Sequence, residues 1–327
     1  MSFYKNCVLC PRRCGVDREA GQLGYCGETS ALRLSFAGIH RGEEPPITGK
    51  GGSGTVFVSG CNLGCAFCQN FQISQGEGVS RLGRVVETGE FAGICLSLQE
   101  KGAENINIVT GSHAAPALAV GIAEARKRGL SIPVLWNSSG YDGAEALEIL
   151  RDFVDVYLPD LKTLDSGTAA RFFNAPDYPA QAAAAILKMM EYRKLCFSDK
   201  TMISGVMVRH LVIPGYIEST RQVLRWFSEN CIGDGHGSHC GDNHGRALLS
   251  LMTQYTPVQA DSGEKAKAEI PGRYVSEDEY DELLVMLDEF GIDDGFCQEL
   301  VTGSEWLPDF TRPNPFSSEL SIPVWHF

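Results

Sequence analysis

Three cysteines stand close together in the stretch GCNLGCAFCQN (60–70), where Cys61, Cys65 and Cys68 form a C-x₃-C-x₂-C pattern. Three thiolates this close in sequence can wrap one small cluster of iron and sulfide, and Gly60 and Gly64 relieve the backbone where such a loop folds tightly. No fourth cysteine follows nearby. A ferredoxin cluster or a structural zinc takes four protein ligands, so three leave one metal with an open position for an incoming ligand. A zinc loop or free buried cysteines is the plain alternative. The spacing, the aromatic Phe67 beside the last cysteine and the strand-like run TVFVSG (55–60) just before the loop favour the cluster.

A second set, Cys7, Cys10, Cys14 and Cys26, is spaced C-x₂-C-x₃-C-x₁₁-C. Four thiolates make a complete ligand set for zinc or for a second cluster. The bland alternative is reduced cysteines on a flexible arm, since so short a segment has little core of its own. A third grouping, CIGDGHGSHCGDNHG (231–245), carries Cys231, His236, His239, Cys240 and His244. Thiolate and imidazole suit zinc or nickel, but its glycine density makes a fixed site costly to order, and an exposed loop is the expectation.

The C-x₃-C-x₂-C pattern with an aromatic before its third cysteine resembles the signature of the radical S-adenosylmethionine (SAM) superfamily. Further stretches resemble its pyruvate formate-lyase activating enzyme-like subgroup, specifically the PflX-type members: CVLCPRRCGVDR (7–18), GYCG (24–27), EEPPITG (43–49), NSSGY (137–141), LPDLK (158–162), NAPDY (174–178), VRHLVIPG (208–215) and LMTQYTP (251–257). The resemblance covers 7–257 and extends to GFCQ (295–298). It implies a partial (β/α)₆ barrel, a 4Fe-4S cluster and S-adenosyl-L-methionine, whose amino and carboxylate groups chelate the open iron. One electron then splits the sulfonium C–S bond, giving methionine and a 5′-deoxyadenosyl radical that abstracts hydrogen, while the protein supplies binding and orientation. A reductant such as flavodoxin or ferredoxin is implied, as is a protein or small-molecule hydrogen donor whose identity the resemblance leaves open.

In activating enzymes of this kind a Gly-Gly-Glu turn after the second strand contacts the SAM amino group; here Thr110, Gly111, Ser112 and His113 occupy that place without the glutamate. His113 reads equally as a helix-start histidine satisfied by backbone. Asn137 and Ser138 match a polar position near SAM after the third strand, and Asp160 and Lys162 match a D-L-K motif after the fourth. Two residues apart on an extended segment, a carboxylate and an ammonium point the same way and suit a zwitterionic ligand; a surface ion pair is the alternative. Arg209 and His210 alternate along the fifth strand, so one faces inward, and His210 is either a SAM or substrate contact or a satisfied core histidine.

Elements able to position these residues are legible as near-continuous apolar runs at 55–60, 105–110, 132–137, 153–159, 205–212 and 247–253. Such runs fit strands buried on both faces of a parallel sheet. Amphipathic stretches at 116–129, 143–152, 178–194 and 218–230 lie between them. About six strand–helix repeats predict an α/β partial barrel with its site in the loops after the strands, an open doubly wound sheet being the alternative. Residues 1–50 read as a Cys-rich segment and linker, 51–258 as the barrel and 259–327 as an extension with a helix over 276–291.

A net charge of −13 over 327 residues disfavours a general nucleic-acid binder. No apolar run approaches bilayer length, and MSFYKNCVLCPRRC has no apolar core of signal-peptide length, so the expected location is the cytoplasm, where the twelve cysteines serve metals more readily than disulfides. Three functions remain: an activase-like radical enzyme, a radical enzyme acting on a small molecule, peptide or nucleoside, and a non-catalytic iron–sulfur electron carrier.

Overall fold

The computed structural model describes residues 3–75, 82–233, 246–258, 269–304 and 306–327. Its strands are β1 (Arg33–His40), β2 (Ser53–Val58), β3 (Arg84–Val85), β4 (Ile106–Val109), β5 (Val134–Ser138), β6 (Val156–Pro159), β7 (Cys196–Ser198), β8 (Thr201–Leu211), β9 (Leu248–Met252), β10 (Gly295–Cys297) and β11 (Ser321–His326). Its helices are α1 (Pro45–Thr48), α2 (Phe71–Ser74), α3 (Thr88–Glu100), α4 (Ala115–Lys127), α5 (Ala144–Leu150), α6 (Ser166–Phe173), α7 (Tyr178–Tyr192), α8 (Ile217–Cys231) and α9 (Glu277–Glu289).

The six expected strands are β2, β4, β5, β6, β8 and β9, and they lie side by side in parallel in that order. Burial explains their composition. All of β2 is buried, and Val134, Leu135, Trp136, Val156, Tyr157 and Leu158 are fully so, because helices cover one face and the site-bearing interior the other. Helix α8 shows the complementary pattern, burying Val223, Leu224 and Phe227 while Arg221 reaches Glu282 and Glu289 of α9. The expected helix at 276–291 is α9, opened by a capping box in which Ser276 and Glu279 exchange hydrogen bonds.

The sheet does not close. Its path runs β10-β9-β8-β6-β5-β4-β2-β1-β11, an open parallel centre with antiparallel β1 and β11 added beyond β2. These two strands went unread in the sequence, as did α3. The expected boundary at residue 50 also falls between two hydrogen-bonded strands, since β1 pairs with β2 from Leu34↔Val58 to His40↔Ser53. The passage expected as a linker contains α1, with Ile47 fully buried, because Pro45 and Pro46 start a helical turn readily. Among the described residues no helix is long and apolar enough to cross a membrane.

Candidate functional site

The loop after β2 begins with Gly60 at φ +89°, where a Cβ would stand 2.7 Å from Glu28 Cγ and 3.1 Å from the Cys26 carbonyl. Only glycine fits this turn without displacing that neighbouring backbone. Beyond it, Cys61 and Cys65 are buried and Cys68 half-buried, and all three line one cavity. The loop is fastened from several sides. Ala66 N–H donates to Phe172 O at 2.9 Å and Gln75 Nε2 to Cys65 O at 2.8 Å. Phe67 packs between Phe172 and Tyr255 at centroid distances of 5.5 and 5.6 Å, so the aromatic of the motif anchors the loop. Arg12 donates to the carbonyls of Asn62 and Leu63, each at 2.9 Å, and of Phe173 at 2.7 Å.

Hydrogen-bonding groups stand beside two of the sulfurs. Leu63 N–H donates to Cys61 Sγ at 3.3 Å, and Ser74 Oγ lies 3.2 Å from Cys68 Sγ. Burial raises the Cys65 thiol pKa, with Lys162 opposing it, and pushes Cys68 up to about 11. With their pKa values raised, the free Cys65 and Cys68 thiols stay protonated at neutral pH, and a bound cation makes thiolate the stable form. Three thiols sharing a cavity, with donors at the sulfurs, fit a cluster that keeps one iron open. Among the described residues no three histidine, cysteine or carboxylate side chains are arranged to hold a single metal ion.

The strand ends supply the polar wall. Thr110, Asn137, Ser138, Asp160 and Lys162 line the same cavity as the cysteines. Thr110 holds φ +64°, a conformation that a β-branched residue adopts at a cost, and donates its N–H to Asn137 O at 2.9 Å. Lys162 Nζ meets Asp160 Oδ2 at 2.6 Å with the two side chains 13% and 20% exposed, so the pair belongs to the cavity and not to the open surface. Burial opposes the Lys162 charge, but Asp160 and then Cys65 outweigh it and raise its pKa.

The alternation along β8 resolves in favour of Arg209. Its guanidinium faces the cavity and holds the carboxylates of Glu43, at 2.6 Å, and Glu44. Burial raises the Glu44 pKa, but Arg209 more than offsets this and holds it below the ordinary range. His210 turns the other way. Its Nδ1–H donates to Leu161 O at 2.7 Å, which leaves Nε2 to accept from Thr220 Oγ1 at 3.0 Å. Burial lowers its pKa to about 4, and the ring is a satisfied, neutral core histidine.

Ser112 and His113 also stand outside the cavity lining. Ser112 Oγ donates to Asp142 Oδ1 at 2.7 Å, while Ser138 Oγ donates to Asp142 Oδ2 at 2.5 Å. Asp142, fully enclosed and with its pKa raised by burial, therefore positions Ser138. His113 Nε2 lies 2.8 Å from Ser59 O, beneath the loop that it supports. Glu43, Glu44 and Asp142 were missed in the sequence because acidic residues in polar passages carry no periodic signal. The cavity wall from Trp306, Pro308 and Phe316 was missed because it comes from a tail far away in the chain. Of the 231–245 grouping, Cys231 is buried at the end of α8, while His236, His239, Cys240 and His244 lie outside the described residues. Cys196 is disulfide-bonded, contrary to the expectation of cysteines kept for metals.

The chain is 28% identical over 299 residues to the uncharacterized protein MJ0674 of Methanocaldococcus jannaschii, covering 89% of this chain and 77% of that one. Among solved structures it resembles Streptococcus suis SuiB bound to S-adenosylmethionine, with a TM-score of 0.47, 13% identity and 76% of this chain covered. It also resembles methylornithine synthase (PylB), with a TM-score of 0.43, 14% identity and coverage of 76% of this chain and 71% of that one. The chain spans about half the length of SuiB, at 49% of it. The family model described as the radical SAM superfamily matches residues 55–227, from β2 and the three-cysteine loop through most of α8. With more than half of its length matched there, the chain belongs to the radical SAM superfamily, whose cofactors are a 4Fe-4S cluster and S-adenosyl-L-methionine.

Proposed function

We propose that Cys61, Cys65 and Cys68 ligate the 4Fe-4S cluster and that SAM binds over it among Thr110, Asn137, Ser138, Asp160 and Lys162. A cluster held by these three cysteines would supply one-electron cleavage of SAM, and the cavity they share with the polar groups would hold the substrate from which hydrogen is taken. One observation carries the reading: the three thiols share a cavity with polar groups from the ends of β4, β5 and β6. Lys162, charged and close to Cys65, offers a partner for the SAM carboxylate, and Asp160 one for its ammonium. Thr110, held by its bond to Asn137 O, shapes the turn on which the cofactor rests.

The sequence resemblance favours a partner protein's glycine as the hydrogen donor, as in glycyl-radical activases. A second reading keeps the chemistry and takes a small molecule, peptide or nucleoside, and the apolar wall that Trp306, Pro308 and Phe316 give the cavity favours it. An electron carrier has no use for a polar cavity beside its cluster. Anaerobic reconstitution with SAM and dithionite tests the common part, because both enzymes release 5′-deoxyadenosine and a carrier does not. Replacing any one of Cys61, Cys65 and Cys68 by Ala abolishes that release; retained cleavage in one of these variants defeats the ligand assignment. Deuterium-labelled extract, separated into protein and small-molecule fractions, then distinguishes the donors by label in the 5′-deoxyadenosine.

A further inference from the structure

The four N-terminal cysteines lie close to one another, and the Cys26 carbonyl abuts the turn that opens the loop of Cys61, Cys65 and Cys68. A turn closed by Arg13 N–H to Cys10 O at 3.0 Å and the pair Cys7 N–H to Val16 O at 3.1 Å and Gly15 N–H to Cys7 O at 3.0 Å bring Cys7, Cys10 and Cys14 onto one hairpin. A second turn, Gly27 N–H to Gly24 O at 2.8 Å, presents Cys26. The two turns meet at Gly24, where a Cβ would stand 3.2 Å from Cys26 Sγ and 3.6 Å from Cys14 Sγ. Cys7, Cys10 and Cys26 are buried and Cys14 half-buried.

The surroundings call for negative charge on these sulfurs. Arg18 is 2% exposed, and its hydrogen bonds go to the carbonyls of Glu28, Thr29 and His113 and to Cys7 Sγ at 3.7 Å. An arginine stays charged in a protein, and a buried charge needs an opposite one. Neutral thiols do not supply it, whereas four metal-bound thiolates do, since they outweigh the charge of the metal they hold. Zinc draws four sulfurs to within about 2.3 Å of one centre, whereas a cluster keeps its thiolates further apart. Among the described residues no group of three such side chains is arranged for a single ion, neither these four cysteines nor Cys61, Cys65 and Cys68.

We propose that Cys7, Cys10, Cys14 and Cys26 ligate a second, closed iron–sulfur cluster that braces the catalytic loop. The bracing runs through three links. Arg12, between Cys10 and Cys14, binds the carbonyls of Asn62 and Leu63 inside the loop. The Cys26 carbonyl abuts the Gly60 turn, and the Tyr25 ring stacks beneath the Arg12 guanidinium at 3.9 Å. With all four ligands from protein, this cluster offers no open iron and leaves SAM to the other site.

The test is metal and sulfide analysis, with low-temperature EPR after reduction, of anaerobically reconstituted full-length protein carrying Cys61→Ala, Cys65→Ala and Cys68→Ala together. About four irons with matching sulfide per chain are expected. About one zinc, or neither metal, overturns the proposal. A second variant, Cys10→Ser with Cys14→Ser, keeps the catalytic triad and loses that iron increment; an unchanged iron content overturns the proposal even where the triple variant folds poorly. The first variant lacks the catalytic ligands, so its iron speaks only for the N-terminal site, whatever becomes of SAM cleavage.

Discussion

Lys162 Nζ stands 2.6 Å from Asp160 Oδ2 on the extended segment leaving β6, and the pair faces the cavity that holds Cys65. Each charge is mostly screened from water, and each has an opposite counterpart on SAM. Lys162→Met or Asp160→Asn is expected to weaken SAM binding about tenfold, the equivalent of one partly buried charge contact, while the cluster's visible absorbance is unchanged. Calorimetry or equilibrium dialysis with SAM checks this, and equal affinity in both variants would mean that the pair is only a piece of structure.

Arg209 neutralises two carboxylates that arrive from the segment before α1. Arg209→Met leaves Glu43 and Glu44 facing each other without a cation, and a loss of about 3–5 kcal/mol in urea unfolding is expected. Adding Glu43→Gln and Glu44→Gln to that variant restores much of the loss, because no uncompensated charge then remains. If the triple variant is no more stable than Arg209→Met, packing and not charge accounts for the effect.

His210 sets a pH dependence. Its folded pKa of about 4 lies below the ordinary 6.5, so the unfolded chain takes up the proton first as pH falls. The contribution is therefore complete above pH 6.5 and is lost progressively as pH drops towards 4. Between pH 7.5 and 5.5 the loss amounts to about 1 kcal/mol. His210→Gln flattens that dependence and leaves SAM affinity as it was, since the ring bonds to Leu161 and Thr220 outside the cavity. Weakened SAM binding in this variant would return His210 to the site.

Thr110 holds its left-handed conformation against its β-branched side chain. Thr110→Gly removes that cost and is expected to stabilise the fold by about 1 kcal/mol while weakening SAM binding, because the side chain lining the cavity is lost. Chemical denaturation and a SAM titration on one preparation read both effects. A destabilised variant would show that contacts of the side chain outweigh the strain.

The chemistry of the site was legible in the sequence because it is local. Cys61, Cys65 and Cys68 fall in one loop, so their spacing alone points to a three-thiolate ligand set, and the runs that became β2, β4, β5, β6, β8 and β9 are rich in apolar residues because both faces of each strand are covered. Asp160 and Lys162 share a side for the same reason, since extended backbone repeats every two residues. Alternation showed that either Arg209 or His210 faced the cavity but not which, because that depends on the twist of β8 against β6 and on the carboxylates awaiting Arg209. Tertiary structure likewise moved Ser112 and His113 out of the lining, since the turn at Thr110 directs them to Asp142 and Ser59. It also brought distant pieces together, Glu43 and Glu44 before the barrel and Trp306 and Phe316 near the end of the chain. Contacts between segments so far apart depend on strand order and register, which no spacing along one chain encodes.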